Sequence, residues 1–301
     1  MMIGRVSNVD AKQVTMIRTA PSLTQIFFRR LVANRLGRVG LIVLLVMLVL
    51  GLAAPLLAPY DPILQHNGYE LTPPSWRFLL GTDELGRDLL SRIIYGARIA
   101  LMVGVAAVAL GSTVGISIGL LAGYWGGWFE AVMMRILDAL LAFPGILLGI
   151  AVAAILGPGL FNAGIAVGII SMPGYARMAR AGMLAQKHHD YVLAARALGY
   201  SQWRVVFKHV LPNVVAPILI QVAFGMAGAV LLEAGMSFLG LGAQPPQPSW
   251  GSMLSVSRRY LRLAPWYGIA PGVVITVFLL GMNALADGLR DALDPTHIQA
   301  H

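Results

Sequence analysis

From Ile99 to Phe129 the chain runs for 31 residues without a charged side chain, and 38 more uncharged residues separate Asp138 from Arg177. A helix on a soluble domain keeps a polar face along its length, and these stretches have no residues to build one. At ~1.5 Å rise per residue, about 20 apolar residues cross a ~30 Å hydrocarbon core. The second run is therefore long enough for two spans if both borrow from their flanks. Val39 to Tyr60 is also uncharged and predicts the first span. With 57% hydrophobic and only 12% charged residues over a length of 301, the chain lacks the charged surface of a soluble domain.

The pattern predicts an all-α membrane protein with six transmembrane helices and both termini cytoplasmic. Residues 1–38 read as a basic cytoplasmic tail ending in an amphipathic helix, 39–60 as the first span, and 61–98 as an extracytoplasmic loop with an interfacial helix. Residues 99–291 read as a five-span core carrying a cytoplasmic loop at 181–213, and 292–301 as a C-terminal tail. Gly157-Pro158-Gly159 breaks the long uncharged run into a third span at about 132–156 and a fourth at about 160–180. Val214–Gly240 and Trp266–Ala286 are the fifth and sixth. Residues 39–58 do not read as a secretory signal peptide, because the basic region ahead is too long and the apolar run too extended.

This topology puts fifteen of the 22 basic side chains in the cytoplasm, the side that basic residues flanking membrane spans favour. Their placement beside apolar spans turns a net charge of +9 toward anionic headgroups rather than nucleic acid. Arg258, Arg259 and Arg262 fall outside without acidic neighbours, which suggests a partly buried outer helix that meets a binding protein or partner. Gly111, Gly115, Gly119 and Gly123 recur every four residues and form a ridge for close helix packing, with a partner the sequence does not identify. Arg135 and Asp138 lie three apart and are expected to pair. Asp138 and Glu233 are the candidate intramembrane polar residues, either lining a pathway or serving helix packing.

Chemistry is sparse. The chain has no cysteine, which excludes disulfides and thiolate metal sites. It has no Gly-rich phosphate loop followed by Lys-Ser/Thr, so ATP is not expected to bind here by that route. His188-His189 is the only His pair, and adjacent residues point to different helix faces. No nucleophile triad or His-Glu-x-x-His arrangement is present, so the chain is not expected to be an enzyme, nor to hold a metal or cofactor.

The informative stretch is Asp190 to Pro212. Tyr191, Ala194, Ala195 and Leu198 follow helical spacing as one apolar stripe, with Arg196 on another face, and Gly199 supplies the residue that closes a helix. A second helix then starts at Gln202, with Pro212 and Pro217 at its end or in the first turn of the next helix. Further back, GTDELGRD precedes an expected helix with Leu85, Leu89, Ile93 and Ala97 on its apolar face. Thr82 or Asp83 would cap it, and Asp88 would pair with Arg92.

The order Ala194-Ala195, three residues, Gly199, and then Leu211-Pro212 resembles the cytoplasmic signature loop of the permease subunits of bacterial ABC importers. The match departs at Leu193, where that family has Glu, and at His209, where it has a branched aliphatic. Gly81, Thr82, Asp83, Gly86, Arg87 and Asp88 resemble a motif of one subgroup, the second permease subunit of dipeptide, oligopeptide, nickel and glutathione importers. FLGLG followed by Pro248, Trp250, Gly251, Met253 and Leu254 resembles the same subgroup.

The resemblance implies a type I importer permease of the bacterial inner membrane that shares its pathway with a homologous permease. It also implies two ATP-binding subunits, carrying the ATP and Mg, and an extracytoplasmic substrate-binding protein. In such a subunit Tyr191, Leu193, Ala194, Ala195, Arg196, Ala197, Leu198, Gly199, Leu211 and Pro212 would couple to the ATPases. The competing expectation is an ion-coupled secondary transporter using Asp138 and Glu233.

Overall fold

The computed structural model describes residues 23–293, and the tail segments 1–22 and 294–301 lie outside them. Its helices are α1 (Leu23–Ala33), α2 (Arg35–Leu52), α3 (Ala54–Leu57), α4 (Leu89–Trp125), α5 (Gly127–Leu141) and α6 (Gly145–Leu156). They continue with α7 (Leu160–Gln186), α8 (Asp190–Ala197), α9 (Gln202–Phe238), α10 (Trp250–Ser257) and α11 (Pro265–Leu293). Among the described residues, four helices are long and apolar enough to cross a membrane: α2, α4, α9 and α11. The pair α5 and α6 makes a fifth if it counts as one bent span. Helix α7 is not among these; its 27 residues include Asn162, Arg177 and Arg180.

The bundle is held by close backbone approaches. Gly111, Gly115, Gly119 and Gly123 of α4 face Ser171, Met172, Ala176 and Met183 of α7, so the partner of the glycine ridge lies within the same chain. A Cβ on Gly115 would stand 2.5 Å from the Met172 carbonyl oxygen, which leaves no room for a larger residue without moving backbone. Helix α2 packs on α11, where Gly40 meets the Leu285 backbone and Gly281 meets Val43. Asn34 sets the turn into α2 by accepting from the backbone N–H of Leu36 at 2.8 Å and of Gly37 at 3.1 Å.

Two expectations change and one alternative is decided. The third span is not one rod: α5 and α6 meet at 95°, where Phe143 and Pro144 interrupt the chain. Pro144 has no N–H to continue the helix, and it opens α6 instead. The helix after GTDELGRD is not a separate interfacial element. It starts at Leu89 and runs unbroken into the next span as α4. Of the two places offered for Pro212, the structure takes the second: it sits in the first turn of the stretch Leu211–Phe238, into which the helix begun at Gln202 passes directly. Residues Val205–Val210 form a π-helical turn, and the Leu211 N–H bonds to the carbonyl of Val206, five residues back. The wider turn passes the chain into a Pro212 that donates nothing, and α9 continues to Phe238.

Two smaller apolar clusters mark the ends of the bundle. One, around Val192, Ala195, Val205 and Val206, lies under the signature loop at the C-terminal end of α4. The other, around Leu89, Ile93, Met253 and Tyr267, lies under the outer motif at the N-terminal end of α4. The two motif regions are therefore separated by the full length of that helix.

Candidate functional site: the signature loop and the outer motif

Helix α8 is closed by Gly199, whose φ of 72° is open to glycine at little cost. The Tyr200 N–H reaches back to the Ala195 carbonyl at 3.1 Å, and the Gly199 N–H to that of Arg196 at 3.0 Å, which completes a Schellman closure. The turn is short because Ser201 at once caps the next helix, accepting from the Arg204 N–H at 3.4 Å.

The buried side of α8 is not the expected stripe. Val192 and Ala195 face inward, the latter 4% exposed, whereas Tyr191, Ala194 and Leu198 point to solvent. The two alanines thus do opposite things: Ala195 packs against the bundle, and Ala194 stands on the open surface. Leu193 is 46% and Leu198 72% exposed, so this eight-residue helix presents large apolar side chains outward while its other side is fully packed. Arg196, Ala197, Gly199 and Pro212 are exposed as well, and Leu211 is half-buried.

The loop is pinned to the end of α4. The Arg196 guanidinium lies 4.8 Å above the Tyr124 ring and its Nε donates to the Tyr124 hydroxyl at 3.2 Å. Trp125 Nε1 donates to Gln202 at 2.7 Å, and Lys187 Nζ to the Gly123 carbonyl at 3.3 Å. His209, a departure from the family pattern, stacks on Tyr200 at 5.5 Å. These contacts join α8, the start of α9 and the last turn of α4 into one block.

The outer motif is a tight turn whose ends meet as an antiparallel bridge between Thr82 and Asp88. Gly81 and Gly86 have φ of 80° and 70°, and a Cβ on Gly81 would stand 2.6 Å from the Trp266 ring nitrogen. Asp83, fully buried, accepts from the Leu85 and Arg87 N–H groups at 2.9 Å and pairs with Arg87 Nε at 2.6 Å. Arg92 Nε lies 3.4 Å from the same carboxylate and Arg92 Nη1 donates to the Pro62 carbonyl at 3.0 Å. The expected Asp88–Arg92 pair is therefore absent. Asp88 is instead the N-cap of α4, taking the Ser91 N–H and hydroxyl at 2.8 and 2.7 Å, because the helix that would set an i, i+4 spacing begins only at Leu89. Thr82 accepts from the Thr72 N–H at 2.8 Å and does not cap a helix. Glu84 carries the network to α11 by accepting from the Tyr267 hydroxyl at 2.6 Å.

The third motif stretch is structural in the same way. Trp250 Nε1 donates to the Ile93 carbonyl at 3.0 Å, the indole covers Gly96, and Gly251 lies against the Ala234 backbone. Glu233 is buried and accepts from Ser237 at 2.6 Å, and the Ser237 oxygen in turn accepts from the Ala243 N–H at 3.0 Å. This geometry is that of a packing hydrogen bond within the bundle.

Asp138 does not pair with Arg135. It accepts from Arg177 of α7 at 2.5 Å, and Glu130 pairs in parallel with Arg180, so two ion pairs tie α5 to α7 around an open cleft of about 500 Å³. The sequence reading missed this clasp. A signal was present, since Glu130 and Asp138 lie eight residues apart on one face and Arg177 and Arg180 three apart on another.

The chain matches two family descriptions. Residues 115–298 match the binding-protein-dependent transport system inner membrane component, and residues 22–74 the N-terminal TM domain of oligopeptide transport permease C. It is 45% identical to the di/tripeptide transport system permease protein DppC of Pseudomonas aeruginosa, over 91% of this chain and 93% of that protein. The dipeptide transport system permease protein DppC of Alkalihalophilus pseudofirmus is 44% identical, covering 92% and 91%. The glutathione transport system permease protein GsiD of Pectobacterium atrosepticum is 42% identical, covering 89% and 90%. Among solved structures, an inward-facing MetNI methionine ABC transporter chain superposes with a TM-score of 0.56 at 18% identity, covering 67% of this chain and 97% of that one. At that identity the likeness is one of fold.

Proposed function

The chain belongs to the binding-protein-dependent transport system inner membrane components, and from that premise we propose that it passes di- or oligopeptides, or a related solute such as glutathione, in an ATP-driven importer. The substrate class follows the relatives, which carry peptide and glutathione transport in their names. In this reading a second, homologous permease completes the pathway, an extracytoplasmic protein delivers the solute, and two separate subunits hydrolyse ATP with Mg. The spans number six, with α5 and α6 as one broken span and α7 as another, and both termini face the cytoplasm.

The observation that carries the coupling role is the outward apolar face of α8. Exposed leucines on a short, rigidly backed helix, beside an alanine that lets a second surface approach closely, mark an interface rather than a solvated loop. The ATPase would seat on Tyr191, Leu193, Ala194 and Leu198. Because Arg196, Gln202 and Lys187 fasten the same block to the end of α4, a shift of the seated helix moves α4 and α9 as rigid elements. Such rocking of packed helices alternates access without chemistry in this chain.

Ion-coupled secondary transport is the less favoured reading, because both residues offered for it already have partners within the chain. Asp138 is paired with Arg177, and Glu233 is bonded inside the helix packing.

The test is uptake by cells or vesicles carrying the assembled transporter, with labelled dipeptide and labelled glutathione supplied in turn. Ala194→Glu should insert and assemble the permease pair normally yet abolish ATP-dependent uptake. Undiminished uptake in that variant would remove α8 from the coupling path. Uptake driven by an ion gradient alone, without the ATPase subunits, would overturn the importer reading.

A further inference from the structure

Arg258, Arg259 and Arg262 are all exposed, and none has a carboxylate within ion-pairing distance among the described residues. Of the carboxylates at the same end of the bundle, Asp83 and Glu84 hold Arg87, Asp88 caps α4, and Asp61 and Glu70 accept from backbone N–H groups of their own loop. The three cations therefore stand as uncompensated charge on a protein surface. Between and beside them Leu261 is 51% and Leu263 72% exposed.

The height of this segment is fixed by what it touches. The Arg258 guanidinium lies 4.4 Å above the ring of Phe238, the last residue of the spanning helix α9. Two residues after Leu263, Pro265 begins the spanning helix α11, whose exposed apolar stripe of Ile269, Val273, Val277 and Leu280 starts about one turn further in. The segment is held there by its own turn, with the Ala264 and Leu263 N–H groups bonded to the Tyr260 carbonyl at 2.7 and 2.9 Å. Residues 258–263 thus lie where two spans meet the bilayer surface.

We propose that Arg258, Arg259 and Arg262 form a binding site for the headgroup of an anionic phospholipid, with Leu261 and Leu263 seated in the acyl margin. Phosphate at the outer surface of the bilayer supplies the missing counter-charge, and the interleaved leucines gain an apolar medium that a soluble partner's acidic surface would not offer. The site rests on the membrane placement of the chain and is independent of how α8 couples.

The experiment uses the assembled transporter, wild type and Arg258→Gln/Arg259→Gln/Arg262→Gln, purified in detergent with phosphatidylglycerol or phosphatidylethanolamine added in equal amounts. Native mass spectrometry reads the bound lipid. Wild type should retain phosphatidylglycerol at least ~10-fold better than phosphatidylethanolamine, and the triple variant should lose that preference. Arg259→Gln/Arg262→Gln, which spares the cation stacked on Phe238, keeps the test valid if the triple variant assembles poorly. Arg259→Lys/Arg262→Lys should retain the preference. An unchanged preference in the glutamine variants overturns the proposal. Unchanged lipid retention with lost response to the substrate-binding protein also overturns it, and gives the patch to that soluble partner.

Discussion

The outer motif and the signature loop sit at opposite ends of α4, and they use their polar and apolar groups in opposite ways. In GTDELGRD, Thr82, Asp83, Arg87 and Asp88 are buried, and their bonds run to the loop, to α4 and, through Glu84, to α11. In α8, by contrast, Arg196 is drawn to Tyr124 while Leu193, Ala194 and Leu198 are left facing outward. A motif shared with a family can therefore be consumed inside the subunit or left on its surface. Burial distinguishes the two where spacing does not.

Four substitutions probe that contrast, each read first as a shift in thermal unfolding of the detergent-purified protein. Asp83→Ala should cost the most, about 3–5 kcal/mol, because it strands the buried Arg92 without a counter-charge and leaves the buried Arg87 with Glu84 alone. A stable Asp83→Ala protein would mean that the motif is not the internal latch described here. Tyr267→Phe removes one bond to the Glu84 carboxyl group that also pairs with Arg87, and should cost about 1.5–3 kcal/mol. Ala195→Leu overfills a packed site and should cost about 1–3 kcal/mol, with transport lost through damage to the loop. Ala194→Leu, one residue away, should change stability by no more than about 0.5 kcal/mol. Its effect should appear only as a lowered coupling ratio of solute imported to ATP hydrolysed. If the two alanine variants unfold at the same temperature, the inward and outward assignment fails.

Much of this was legible in the sequence, because membrane solvation imposes a coarse and strict rule. Uncharged runs pointed to α2, α4, α9 and α11, Gly157-Pro158-Gly159 located the break before α7, and Gly199 closed α8 as its conformational freedom suggests. The bend at Pro144 had a signal too, since Pro144-Gly145 is a turn dipeptide inside an otherwise apolar run. Other features were out of reach. On a helix of eight residues, the stripe through Tyr191, Ala194, Ala195 and Leu198 and the pair Val192 and Ala195 are both regular, and only the neighbours that cover one face decide. Arg92 found Asp83 through tertiary packing that no local spacing encodes.

The most direct test of the central claim, that α8 offers Ala194 to the ATPase and gives Ala195 to the bundle, exploits a chain without cysteine. Ala194→Cys and Ala195→Cys are each exposed to a membrane-permeant maleimide, once in the permease pair alone and once in the full transporter. Position 194 should label rapidly in the pair and be strongly protected when the ATPases are present, and position 195 should label little in either. Equal labelling of position 194 with and without the ATPases would contradict the claim.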